Sequence, residues 1–107
     1  MRRARYAVAK ASEIVPNTAT VVRLGNDTDC ALFRHNGAWY ATGSLCPHQN
    51  TPLDGAPAIG GEVVCNRHGY RFDLKTGECR TIGGYGLPVY SVDVEDDTVY
   101  VSVWEFD

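Results

Sequence analysis

The chain has 107 residues, 44% of them hydrophobic and 21% charged, which suits one small globular domain and excludes a disordered chain. No run approaches the roughly 20 apolar residues of a membrane span. No apolar segment follows the basic start Met1-Arg2-Arg3-Ala4-Arg5, so the chain reads as cytoplasmic with no membrane contact. The net charge of −3 is unevenly spread: residues 1–10 hold Arg2, Arg3, Arg5 and Lys10 and no acid, whereas residues 93–107 hold six acids and no base. An acidic body excludes nucleic acid as a partner and fits a basic protein surface and a plain solvated face equally well.

Helical periodicity is almost absent. Short runs rich in Val, Tyr, Thr and Phe are cut by Gly, Pro, Asn and Asp. Tyr6-Ala7-Val8-Ala9 reads as a first strand, and Ser12-Glu13-Ile14-Val15 before Pro16 as one helical turn at most. Thr20-Val21-Val22-Arg23-Leu24 is a second strand, turning at Gly25-Asn26-Asp27. Cys30-Ala31-Leu32-Phe33-Arg34 and Trp39-Tyr40-Ala41-Thr42 flank Asn36-Gly37, a dipeptide suited to a type I′ hairpin turn. A glycine-rich middle follows, with short strands at Glu62-Val63-Val64-Cys65 and Tyr70-Arg71-Phe72-Asp73 and a tight turn at Lys75-Thr76-Gly77. After Pro88 the alternation returns: Val89, Ser91, Asp93 and Glu95 face one way and Tyr90, Val92 and Val94 the other. Asp96-Asp97 then turns into Thr98-Val99-Tyr100-Val101-Ser102-Val103-Trp104.

The pattern predicts one all-β domain over residues 1–107. Its base, residues 1–42 and 87–107, is an antiparallel sandwich or partial barrel, and residues 43–86 form an inserted small subdomain.

The insertion holds Cys46-Pro47-His48 and Cys65-Asn66-Arg67-His68, two short loops that each offer one thiolate and one imidazole. Two cysteines and two histidines suit a tetrahedral zinc site. Zinc fingers, however, usually group the cysteines in one knuckle and the histidines in another, and here each loop mixes them. Mixing suits two irons, cysteines on one and histidines on the other, which is the ligand set of a Rieske [2Fe–2S] centre.

With Gly69-Tyr70-Arg71-Phe72-Asp73, Thr76-Gly77-Glu78, Pro52-Leu53-Asp54-Gly55 and Val92-Asp93-Val94-Glu95-Asp96, the chain resembles the Rieske-type ferredoxins over nearly its whole length. It is most similar to the soluble ferredoxins of bacterial ring-hydroxylating dioxygenases. The resemblance implies that Cys46, His48, Cys65 and His68 hold the cluster and that the two histidines form the electron port. It also implies a proline-bearing loop over the cluster, for which Gly86-Leu87-Pro88 is the candidate; Pro88 is equally well read as a proline that only starts a strand. Pro47, Gln49 and Pro88 are the candidate docking rim. Rieske proteins of quinol-oxidising complexes add a disulfide-bonded cysteine to each ligand loop, where this chain has Thr51 and Arg67. They also hydrogen-bond the cluster through a serine and a tyrosine, where this chain has Tyr70 and Phe72. Fewer donors imply a potential at the low end of the Rieske range of about −150 to +300 mV.

The function expected from the resemblance is one-electron carriage, from a flavin-containing NAD(P)H-dependent ferredoxin reductase to a terminal oxygenase of aromatic-ring hydroxylation, by a cytoplasmic monomer without catalysis of its own. A small Rieske-like subunit of an assimilatory nitrite reductase and a structural zinc module are the alternatives. A terminal oxygenase is excluded, because a catalytic non-haem iron needs two more histidines and only His35 is left. His35 beside the Asn36-Gly37 turn reads as solvated. Cys30 and Cys79 read as small unpaired thiols, and Trp39, Trp104 and Phe106 as core or core-edge residues.

Overall fold

The computed structural model describes residues 1–25, 27–47, 49–67 and 69–106. In chain order the elements are β1 (Arg2–Lys10), one 3-10 turn (Ala11–Glu13), β2 (Thr20–Arg23), β3 (Asp29–His35), β4 (Ala38–Gly43), β5 (Leu45–Cys46), β6 (Thr51–Pro52), β7 (Ala58–Ile59), β8 (Glu62–Val64), β9 (Arg71–Asp73), β10 (Val89–Glu95) and β11 (Thr98–Glu105). Among the described residues no helix is long and apolar enough to cross a membrane.

Six strands form one antiparallel sheet in the order β1-β11-β10-β4-β3-β2, while β5-β6 and β7-β8-β9 form two small sheets. The large sheet curls into a partial barrel. Its two ends meet where the Tyr6 ring of β1 lies over Gly25, close enough that a Cβ there would sit 2.6 Å from the ring. Two turns fix the registers. Asn36 and Gly37 at φ 52° and 76° set His35 opposite Ala38, and Asp96 and Asp97 at φ 47° and 68° set Glu95 opposite Thr98. Positive φ at both central positions is the type I′ signature expected of Asn36-Gly37.

Strand β3 divides the core. Cys30 and Leu32 join Leu24, Ala41, Val99 and Val101 inside the barrel, whereas Ala31 and Phe33 join Cys46, Leu53, Val63, Cys65, Phe72, Leu74 and Leu87 on the other side. A strand covered on both faces needs a continuous apolar run rather than an alternating one, and Cys30-Ala31-Leu32-Phe33 supplies it. The apolar side of residues 45–73 therefore rests on the outer face of β3.

The uneven charge is largely cancelled by this topology. β1 runs antiparallel to β11, Arg2 pairs with Glu105 at 3.3 Å, and Arg5 pairs with Asp93 and with Glu95 of β10. The Arg5 guanidinium also lies 3.5 Å above the Tyr100 ring. Three of the six C-terminal acids are thus engaged by the arginines of β1.

Three expectations are corrected. His35 is buried, not solvated: it follows Ala31 and Phe33 on the outer face of β3, which residues 45–73 cover. Trp104 is 66% exposed, because Val99, Val101 and Val103 take the buried face of β11 and alternation turns Trp104 outward. Phe106 lies beyond the end of β11 and is exposed.

Candidate metal centre

Cys46 ends β5 and Cys65 follows β8, so each thiol sits at the tip of a hairpin of one of the two small sheets. Both are buried, neither is in a disulfide, and both belong to one apolar cluster with Leu53, Phe72 and Leu87. The Cys46 hairpin is closed by Leu45 opposite Pro52 and Cys46 opposite Thr51, with Asn50 in the left-handed region at φ 51°. The Cys65 loop is tied at its base: the Cys65 N–H donates to the Tyr70 carbonyl at 2.8 Å, and the Gly69 N–H donates to the Cys65 carbonyl at 2.9 Å. Gly69 adopts φ 70°, a left-handed conformation that glycine takes without strain as the loop turns back toward β9. His48 and His68 lie outside the described residues.

The donor set fits an iron–sulfur centre. Two thiols buried among apolar side chains are poor metal-free neighbours for water but suitable soft ligands for iron or zinc. Thr51 Oγ1 is the one buried side-chain oxygen or nitrogen among the described residues without a hydrogen-bond partner. It belongs to the residue directly opposite Cys46, and such an orphan beside a ligand position fits a site designed to be filled by a group with acceptors.

Phe72 is fully buried in the same cluster and brings no polar atom to it. Tyr70 is partly buried against the cluster, its ring centroid 6.2 Å from that of Tyr85. The segment after β9 closes over the cluster. Leu87 is buried in it and its N–H donates to the Gly77 carbonyl at 2.8 Å, while the Pro88 carbonyl accepts from the Gly43 N–H at 2.9 Å. Of the candidate rim residues, Gln49 and Pro88 are exposed and Pro47 is half-buried. Pro88 stacks so close to Gly43 that a Cβ there would lie 2.9 Å from Pro88 Cγ.

The ligand loops are fastened to the large sheet from one side. Residues 17–21 supply most of the links: Ala19 N–H to the Ala56 carbonyl, Gly55 N–H to the Ala19 carbonyl, Ala58 N–H to the Asn17 carbonyl, and Val21 N–H to Asp54 Oδ1. His35 completes the set. Its Nε2 accepts the Gly61 N–H at 2.9 Å, which leaves Nδ1 as the protonated nitrogen, donating to Asn17 Oδ1 at 2.7 Å. The imidazole therefore bridges β3, the segment before β2 and the β7–β8 turn. Sequence reasoning missed this role, although Ala31, Phe33 and His35 share one face of β3. Cys30 and Cys79 lie in different core clusters and cannot pair. Burial, with a smaller contribution from Asp29, pushes the Cys30 thiol up to about 11.

Comparison with known proteins places this geometry. The family model of the Rieske [2Fe-2S] domain matches residues 4–91. The ferredoxin component of the p-cumate 2,3-dioxygenase system of Pseudomonas putida is 32% identical over 84 residues, covering 77% of this chain and 71% of that protein. Human apoptosis-inducing factor 3 is 35% identical over 71 residues, covering 65% of this chain; the chain spans only 12% of that relative's length. Among solved structures, the complex of reduced oxygenase and oxidized ferredoxin in carbazole 1,9a-dioxygenase contains a chain that superposes with a TM-score of 0.79 at 28% identity, covering 91% of each chain. A protein assigned as the small subunit of an NADH-dependent nitrite reductase from Mycobacterium tuberculosis superposes with a TM-score of 0.86 at 20% identity, covering 99% of this chain and all of that one.

Proposed function

We propose that this chain, which belongs to the Rieske [2Fe-2S] domain family, is a one-electron carrier and not itself a catalyst. Its cofactor is a Rieske-type [2Fe–2S] cluster. That cluster supplies a reversible one-electron couple when bound. Cys46 and Cys65 would hold one iron and His48 and His68 the other. The observation that carries the reading is the pair of buried thiols outside any disulfide, brought from two separate hairpins into one apolar cluster.

The rest of the chain supports that task. Residues 43–86 act as the cluster-binding part and residues 1–42 and 87–107 as the base that holds it. The exposed rim at Gln49 and Pro88, with Pro47, gives a partner close access to the ligand loops. Phe72 offers no hydroxyl to the cluster, and the larger Tyr70 stands where a serine would otherwise donate. A reduced cluster with few donors is less stabilised, so its potential lies at the low end of the Rieske range. A low-potential centre suits electrons from a flavin-containing NAD(P)H-dependent ferredoxin reductase and delivery to a terminal oxygenase of aromatic-ring hydroxylation. The p-cumate and carbazole dioxygenase ferredoxins favour this setting. We place the carrier in the cytoplasm, as a monomer with thiols kept reduced.

The small subunit of a nitrite reductase is the second reading, favoured by the full-length superposition on the mycobacterial protein. Membership of the family replaces the zinc module.

A redox titration followed by electron paramagnetic resonance tests the reading. The expected result is a Rieske signal that appears at low potential and is abolished or transformed in Cys46→Ser. A signal that develops at high potential overturns the argument from Phe72 and Tyr70. No signal in metal-loaded protein overturns the carrier altogether.

A further inference from the structure

We propose that the Thr51 hydroxyl donates a hydrogen bond to a sulfur of the bound cluster and thereby raises its reduction potential. This rests on the reading of Cys46 as a ligand. Thr51 and Cys46 are direct partners in the β5–β6 ladder, so their side chains stand on the same face of it, neighbours across two strands. Thr51 Oγ1 is shielded from solvent and finds no acceptor or donor among the described residues. Buried hydroxyls in folded proteins are nearly always paired. The fully buried Thr42 shows the ordinary solution in this same chain, its Oγ1 donating to the Gly43 carbonyl at 2.9 Å. Thr51 has no such carbonyl partner, and its neighbour across the ladder is a cluster ligand.

A sulfur acceptor resolves the orphan. Cysteinyl and inorganic sulfurs of an iron–sulfur cluster accept hydrogen bonds, and reduction adds negative charge to them. A donor at Thr51 therefore stabilises the reduced state more than the oxidised state. Phe72 withdraws one donor from the cluster, and Thr51, on the opposite ligand loop, supplies another. The centre is low in potential because of the first and would be lower still without the second.

Thr51→Val removes the hydroxyl at nearly constant shape, and Thr51→Ser keeps it. At the wild-type midpoint potential the ratio of reduced to oxidised cluster in Thr51→Val is expected to fall about tenfold, a downward shift of about 59 mV for one electron. Thr51→Ser is expected to stay within about threefold of wild type. Pulsed paramagnetic resonance of the reduced wild type in D₂O should show an exchangeable deuteron coupling that Thr51→Val lacks and Thr51→Ser retains. Thr51→Val titrating with wild type, or Thr51→Ser shifting as far as Thr51→Val, overturns the inference while leaving the cluster in place. A deuteron spectrum identical in wild type and Thr51→Val overturns it likewise. A wild type with no Rieske signal overturns the ligand reading and this inference with it.

Discussion

His35→Leu should destabilise the whole domain, because the imidazole ties β3 to both the Asn17 segment and the β7–β8 turn. Leucine keeps the apolar bulk on the face of β3 that carries Ala31 and Phe33 but leaves the Gly61 N–H and Asn17 Oδ1 without their partner. Asn17 is exposed, so its amide oxygen can turn to water and the cost falls mainly on the half-buried Gly61 N–H; an unsatisfied buried donor costs about 1–3 kcal/mol, so about 1.5 kcal/mol is expected. With a urea slope of about 1.5 kcal/mol/M for a domain of this size, the unfolding midpoint falls by about 1 M. The assay is equilibrium urea unfolding, followed in parallel by tryptophan fluorescence and by visible circular dichroism of the cluster. Both probes should move together, because the broken contact joins the large sheet to the ligand loops. Combining His35→Leu with Asn17→Ala should show a coupling above about 0.5 kcal/mol, since the two side chains bond directly. A midpoint shift under about 0.3 M, or strict additivity in the double variant, would refute the clamp.

Two further outcomes follow from other parts of the fold. Cys30 is fully buried and its thiol is raised to about 11 from an unfolded value near 9, so the folded state holds its proton more tightly than the unfolded state. The sign is therefore a stabilisation complete below pH 9 and lost as pH rises toward 11, about 3 kcal/mol in all; Cys30→Ala should flatten that alkaline limb, and an unchanged limb would dispose of the assignment. Gly77→Ala should loosen the segment that packs over the apolar cluster of Cys46 and Cys65, because Gly77 sits at φ 80° and an added Cβ would lie 2.0 Å from the Leu87 carbonyl oxygen. A loss above about 2 kcal/mol, with faster bleaching of the cluster, is expected; wild-type stability and bleaching would show that the segment is free to move aside.

The frame was readable wherever local chemistry decides. Asn36-Gly37 announces its turn because few other dipeptides accept positive φ twice, and the alternation reappears in the exposure of β10 from Val89 to Asp93, lapsing at the exposed Val94. The four-residue constellation of cysteines and histidines is local too, and it led directly to the family. What the sequence concealed depends on pairing across distance. Arg5 reads as one of a basic cluster until β1 is laid beside β11, when its partners prove to be Asp93 and Glu95. His35 reads as a polar residue beside a turn, and only the covering of β3 on its second face makes it a buried bridge. Thr51 reads as the mere absence of a cysteine, because the orphaned state of Oγ1 depends on what the folded chain fails to place near it. Trp104 could have been placed: Val99, Val101 and Val103 already claim the inward face, and large aromatic size is no substitute for phase.

In the proposed carrier, Phe72 joins stability and potential in one position. It lies on β9 opposite Val63 of β8, fully buried, and packs in the cluster that contains both Cys46 and Cys65. The small sheets have strands of only two or three residues, too short to hold together by their ladders alone. Their apolar faces must therefore be well filled, and a phenyl ring fills this one without a hydroxyl that needs a partner. A tyrosine there would bring a donor to the cluster at the expense of a polar atom in the smallest part of the core. Packing and the proposed redox role thus favour the same side chain: the residue that fills the apolar cluster of Cys46 and Cys65 is also one with no hydroxyl to offer a bound metal centre.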